Sequence, residues 1–99
     1  MLNIEKSMNG NEMVVVLDGR LDTLTSPQLE KAIGEDIEKA DSIVLDMGKL
    51  EYVSSAGLRV IMAVDIEMLK KNGLVLKDVT QDVKDVLELT GLAEDLKFI

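Results

Sequence analysis

The chain has 99 residues and a formal net charge of −8, with no cysteine and no histidine. That length suits one domain over residues 1–99 with a modest core, here built almost wholly from aliphatic side chains because Tyr52 and Phe98 are the only aromatic residues. The composition argues against a disulfide frame, a thiolate centre, a basic nucleic-acid interface and an anionic membrane surface, and an acidic chain steers toward a basic protein partner.

Residues Leu2–Met8 and Glu12–Leu17 read as two antiparallel strands, joined through Asn9-Gly10-Asn11, where Asn-Gly is a hairpin signal. Thr23-Leu24-Thr25-Ser26-Pro27 reads as a helix start, with Ser26 as the cap and Pro27 at the first helical position. Leu29, Ala32, Ile33 and Ile37 form the apolar stripe of that helix, expected to end near Ala40. Ile43-Val44-Leu45 is a continuously apolar run, the pattern of a strand covered on both faces.

Ser54 and Ser55 follow, at the start of a helix expected over about Ala56 to Lys71 and stopped by Asn72-Gly73. This helix is apolar on more sides than one sheet can cover, so Val60 and Met62 are expected to be exposed near the serines. Leu74-Val75-Leu76 is a further buried strand. Thr80 caps a third helix that Gly91 stops, and Leu96–Ile99 is a final edge strand. Strands alternating with helices call for parallel pairing and right-handed crossovers, so the expected fold is α/β, a mixed sheet with helices packed on it.

The N-terminus lacks the pattern of a signal peptide, and no apolar run exceeds the length of Val60–Val64, far too short to span a bilayer. The expectation is a cytoplasmic protein without membrane insertion, as a monomer or weak dimer. Asp22, Asp46 and Glu51 lie near strand ends, but without histidine they make a poor metal or acid/base set, and no metal or other cofactor is expected. Ser55-Ala56-Gly57 matches half of a nucleophile elbow; Val53 stands where that motif needs glycine, and no ordinary triad forms without histidine, so no enzymatic activity is expected.

Four segments occur in a telling order: Gly19-Arg20-Leu21-Asp22, Ile43-Val44-Leu45-Asp46-Met47, Tyr52-Val53-Ser54-Ser55-Ala56-Gly57-Leu58 and Leu87-Glu88-Leu89-Thr90-Gly91-Leu92. Together they resemble the STAS domains, and most of all the stand-alone bacterial anti-sigma factor antagonists. The resemblance runs from the first hairpin to the last helix. It implies a small STAS-type fold that binds an anti-sigma factor serine kinase and so frees a sigma factor. Phosphorylation of a serine at the start of the second conserved helix would end the interaction, and a serine/threonine phosphatase would restore it. Aligned through Gly57, the family's phosphoacceptor falls on Ser55, with Ser54 as the alternative because it stands where many relatives carry aspartate. The same resemblance puts Asp22, Thr23, Ser54, Ser55, Gly57, Leu58, Arg59 and Met62 on the partner-binding surface. The alternative within the family is a non-phosphorylated scaffold subunit of a stress-signalling or lipid-transport complex.

Overall fold

The computed structural model describes all residues, 1–99. Five strands form one sheet in sequence order: β1 (Leu2–Asn9), β2 (Glu12–Leu21), β3 (Ser42–Val53), β4 (Leu74–Lys77) and β5 (Lys97–Phe98). β1 pairs antiparallel with β2, and every later neighbour pairs parallel. Three helices, α1 (Ser26–Gly34), α2 (Ser55–Met68) and α3 (Gln81–Leu89), supply the crossovers that parallel pairing requires. This is the mixed α/β sheet expected from the alternation of elements. Gly10, with φ of 62°, turns the first hairpin.

One core holds the molecule together. Met13, Val15 and Leu17 of β2, Ile43, Leu45 and Met47 of β3, and Leu74 and Leu76 of β4 all point to the same side. There they meet Leu29 and Ile33 of α1, Ile61 and Met68 of α2, and Val83 and Leu87 of α3. Val44, expected to be covered, is only half-buried, because its side of the sheet carries no helix. The continuous apolar run reports burial of alternate residues plus β-branched packing across strands, not two covered faces.

α1 and α2 are both shorter than the periodicity suggests. α1 ends at Gly34, whose missing side chain weakens the helix, and a 3₁₀ turn at Ile37–Lys39 finishes the segment near Ala40. α2 ends at Met68, and Gly73, with φ of 96°, lies in the turn into β4 rather than at the helix cap. Thr80 does cap α3, its hydroxyl accepting from the Val83 N–H. β3 is much longer than its apolar run, because Gly48 and two register shifts against β2 let it bulge and continue to Val53. That extension carries the chain to the serines.

Candidate site at the start of the second helix

Ser54 and Ser55 are held by the parallel ends of β2 and β3. The Ser54 N–H donates to the Leu21 carbonyl at 2.8 Å, which pins the strand end to β2. Ser54 has extended backbone (φ −95°, ψ 174°), its hydroxyl accepts from the Gly57 N–H at 3.3 Å, and its carbonyl accepts from the Leu58 N–H at 2.9 Å. Ser54 is therefore the helix cap. Ser55 is the first helical residue and is exposed. Of the two hydroxyls, one is engaged in capping and the other stands at the helix's positive end facing solvent.

Gly57 is buried, and its lack of a side chain has a packing cause. A Cβ there would lie 2.7 Å from Leu21 Cγ and 3.0 Å from the Leu21 carbonyl oxygen. Leu58 is also buried, at 5% exposure. Gly57 and Leu58 thus seat α2 on the sheet, and Leu58 also lines a groove beside Ser55. The expected exposure of Val60 and Met62 is corrected. Val60 packs into the core and Met62 is half-buried against it, whereas the exposed apolar residues of this helix region are Ile66 and Leu69 at its far end.

Two grooves flank the exposed serine. One, of about 400 Å³, lies between α1 and α2 and is bordered by Thr23, Pro27, Ala56 and Arg59. The other, of about 330 Å³, lies on the opposite side and is bordered by Ser55, Met62, Thr90 and Leu92. Arg59, exposed and one turn beyond Ser55, borders both. None of the ion pairs in the molecule engages it, which leaves a free cation beside the serine in a strongly acidic chain.

Asp22 and Thr23 belong to the turn between β2 and α1, and Thr23 borders the first groove. The Asp22 carboxylate accepts from the backbone N–H groups of Leu24 and Thr25, each at 3.0 Å. Those donors, the Thr25 N–H first, hold the carboxyl below the usual aspartate range. The Thr25 hydroxyl donates to the Arg20 carbonyl and accepts from the Asp22 N–H, both at 2.8 Å. Ser26, expected to cap α1, instead turns its hydroxyl onto the Asp22 carbonyl, and α1 has no side-chain cap. The turn displays Leu24 at 84% exposure, a residue that sequence reasoning passed over. The available signal was an apolar residue set between turn-forming Asp22 and helix-starting Pro27.

No three carboxylates converge anywhere in the molecule. Asp22 is occupied by its turn, and the Asp46 carboxylate accepts from the Gly48 N–H at 3.1 Å. No helix is long and apolar enough to cross a membrane.

The family model described as "Mlab, STAS domain" matches residues 4–98. The chain belongs to the STAS domain family. Among curated relatives it is 35% identical over 81 residues to BtrV of Bordetella bronchiseptica, whose given name proposes an anti-sigma factor antagonist; the match covers 80% of this chain and 70% of that protein. It is 31% identical over 94 residues to the anti-sigma F factor antagonist of Paenibacillus polymyxa, covering 92% and 80% of the two chains. Solved structures share the fold, among them these two. One is an anti-sigma factor antagonist from Mycobacterium paratuberculosis (TM-score 0.89, 24% identity, 99% of this chain and 85% of that one). The other is the Bacillus cell fate determinant SpoIIAA in its phosphorylated form (TM-score 0.75, 19% identity, 100% and 91%).

Proposed function

We propose that this STAS domain is an anti-sigma factor antagonist, switched by phosphorylation of Ser55. The observation that carries the proposal is the division of labour between the two serines. Ser54 spends its hydroxyl on the helix cap, and Ser55 leaves its own free, exposed between two grooves. The names of the curated relatives supply the class of partner, an anti-sigma factor, and the phosphorylated SpoIIAA structure shares this fold.

The chemistry follows from the position. A kinase partner would transfer the γ-phosphoryl group of ATP to the Ser55 Oγ; the hydroxyl proton goes to a base on the kinase and ADP leaves. The product gains roughly −1.5 to −2 charges. At the first turn of α2 that charge meets backbone N–H groups and the positive end of the dipole, a favourable term of about 0.3–1 kcal/mol for an exposed terminus. A partner packed over Ser55 would instead have to desolvate the dianion. Phosphorylation therefore breaks the complex and spares the fold, and a serine/threonine phosphatase resets it. Asp22, Thr23 and Arg59 form the wall and rim of the contact surface, with half-buried Met62 in the second groove.

The test is co-purification from the native cell followed by phosphosite mapping. The expected result is a kinase-type anti-sigma factor in the eluate and phosphate on Ser55. Phosphate on neither serine, with recovery of transporter or stress-complex subunits in place of a kinase, overturns the switch and favours a scaffold role. A Ser55→Asp variant should lose the partner while melting as the parent does.

A further inference from the structure

We propose that the helix-free face of the sheet is a self-association surface, covered in the dimer by the same face of a second copy of this chain. The proposal does not depend on the serine switch. Every helix packs on one side of the sheet, so the outward residues of all five strands form an open face. Across its middle runs a row set by strand register: Val14 on β2, Val44 on β3 and Val75 on β4 are consecutive Cα partners, all half-buried. Three β-branched side chains in a row make a flat apolar strip of the kind that packs sheet against sheet, about 10 Å apart.

The charges on either side of the strip select the occupant. On the β1–β2 side the outward groups include Glu5, Glu12 and Asp18. On the β4–β5 side they are Lys77 and, by backbone register, Lys97 at the sheet's edge, whose Nζ reaches toward Gly73. β3 between them includes Asp46 and Lys49, of opposite sign, and Lys49 borders the same small hollow as Glu5 and Asp18. Arg20, the one outward cation on β2, is engaged with the Tyr52 ring, 4.4 Å from its centroid. The face is thus acidic on one half and basic on the other, with an apolar axis between.

A two-fold axis running along β3 turns one such face over onto another. It lays β1 and β2 of one protomer above β4 and β5 of its partner, acid over base on both sides, and sets Val44 against its own copy. That is the self-complementarity an isologous dimer requires. Opposite signs balance on this face, in a chain whose net charge is −8. Two copies approaching by any strongly acidic surface repel, so charge itself directs them to this one. The strands span 8, 10, 12, 4 and 2 residues, so at about 3.3 Å per residue and about 4.8 Å between strands the face covers about 570 Å², below the roughly 800 Å² per partner of a standard interface and in the range of a weak, transient one. Because the valines are half-buried already, the association is a weak one that tightens at low salt.

Sedimentation velocity on the full chain over a wide concentration range tests this. The expected result is a monomer–dimer equilibrium that weakens as salt is raised. The double variant Lys77→Glu, Lys97→Glu should stay monomeric, as should Glu5→Lys, Asp18→Lys. Mixing the two variants should restore a dimer containing one chain of each, because the reversed halves again face opposite charge. Val44→Lys, which sets two lysines against each other on the axis, should weaken association at least tenfold with an unchanged far-UV spectrum. Any of three results overturns the proposal: a parent chain monomeric at every concentration, a dimer that survives both charge reversals, or reversed chains that do not re-pair on mixing. A different protein bound to this face of a persistently monomeric chain overturns it as well.

Discussion

Two pairs of adjacent hydroxyls stand at helix starts in this molecule. Thr25 and Ser26 open α1; Ser54 and Ser55 open α2. At α1 both side chains are buried, at 5% and 3% exposure. Both are consumed by the turn, Thr25 bridging the Arg20 carbonyl and the Asp22 N–H, and Ser26 holding the Asp22 carbonyl. At α2 only Ser54 is consumed, and Ser55 is exposed. All four are hydroxyl side chains, and both pairs follow the C-terminal end of a strand. What separates a structural hydroxyl from a chemically available one is whether the backbone around it has already claimed it. A phosphate on Ser26 would have to break the β2–α1 turn, whereas one on Ser55 would add to a finished helix start.

The comparison is broken most severely by filling the space under α2. Gly57→Val places carbon atoms against Leu21, whose carbonyl cannot retreat because it accepts the Ser54 N–H. The expected loss is about 1–3 kcal/mol in denaturant unfolding, by overpacking. An unaltered midpoint would show that α2 is not seated on Leu21. The hydroxyls come next, and the contrast among them matters more than any single value. Thr25→Val should lose about 1–3 kcal/mol, since it takes the hydroxyl partner from the part-buried Arg20 carbonyl and Asp22 N–H. Ser54→Ala should lose about 1 kcal/mol, the usual worth of a cap. Ser55→Ala should change stability by no more than about 0.5 kcal/mol, as surface substitutions do. Urea titration of the three variants side by side checks the order. If Ser55→Ala were as costly as Ser54→Ala, the division of labour between the serines would be wrong.

How legible was this from the residues alone? The element order was, because the strands are β-branched runs between strong turn signals and α3 carries its own cap in Thr80. The serine site was legible as a place, but not in its roles: the periodicity puts a helix after Ser54-Ser55 without saying which hydroxyl caps it. That depends on where β3 stops, and β3 stops at Val53 because of Gly48 and a bulged pairing with β2. Nor did the sequence show that Gly57 and Leu58 face inward, since α2 is apolar on several sides and its orientation is fixed by the contact with Leu21. The open sheet face was misread for a related reason. Val44 and Val75 lie between inward-facing neighbours, and a run of apolar residues looks alike whether one face is covered or two.

The smallest expected effect sets the Asp22 of the α1 turn against a second aspartate, Asp65 of α2, which is 7% exposed. Burial pushes the Asp65 carboxyl above its ordinary value, with the charge of Asp95 adding and Lys97 partly offsetting. A carboxyl whose pKa is higher folded than unfolded binds protons more readily in the folded state. Its ionisation therefore costs stability above the folded pKa, and that cost is relieved as pH falls through it. Asp22 has the opposite sign: its folded pKa is depressed, so its contribution is present above the unfolded value and is lost as pH falls through the folded one. Acidifying from neutrality should thus first relieve Asp65 and only then cost the α1 turn. Asp65→Asn should melt higher than the parent at neutral pH, with the gap closing once the medium is more acidic than ordinary aspartate, about 3.9. Asp22→Asn should instead flatten the loss of stability on the far acid side. Melting curves of both variants across the acid range read the two signs separately. A gap for Asp65→Asn that widens toward acid would mean that this carboxylate is stabilised in the fold, by a partner that burial alone does not supply.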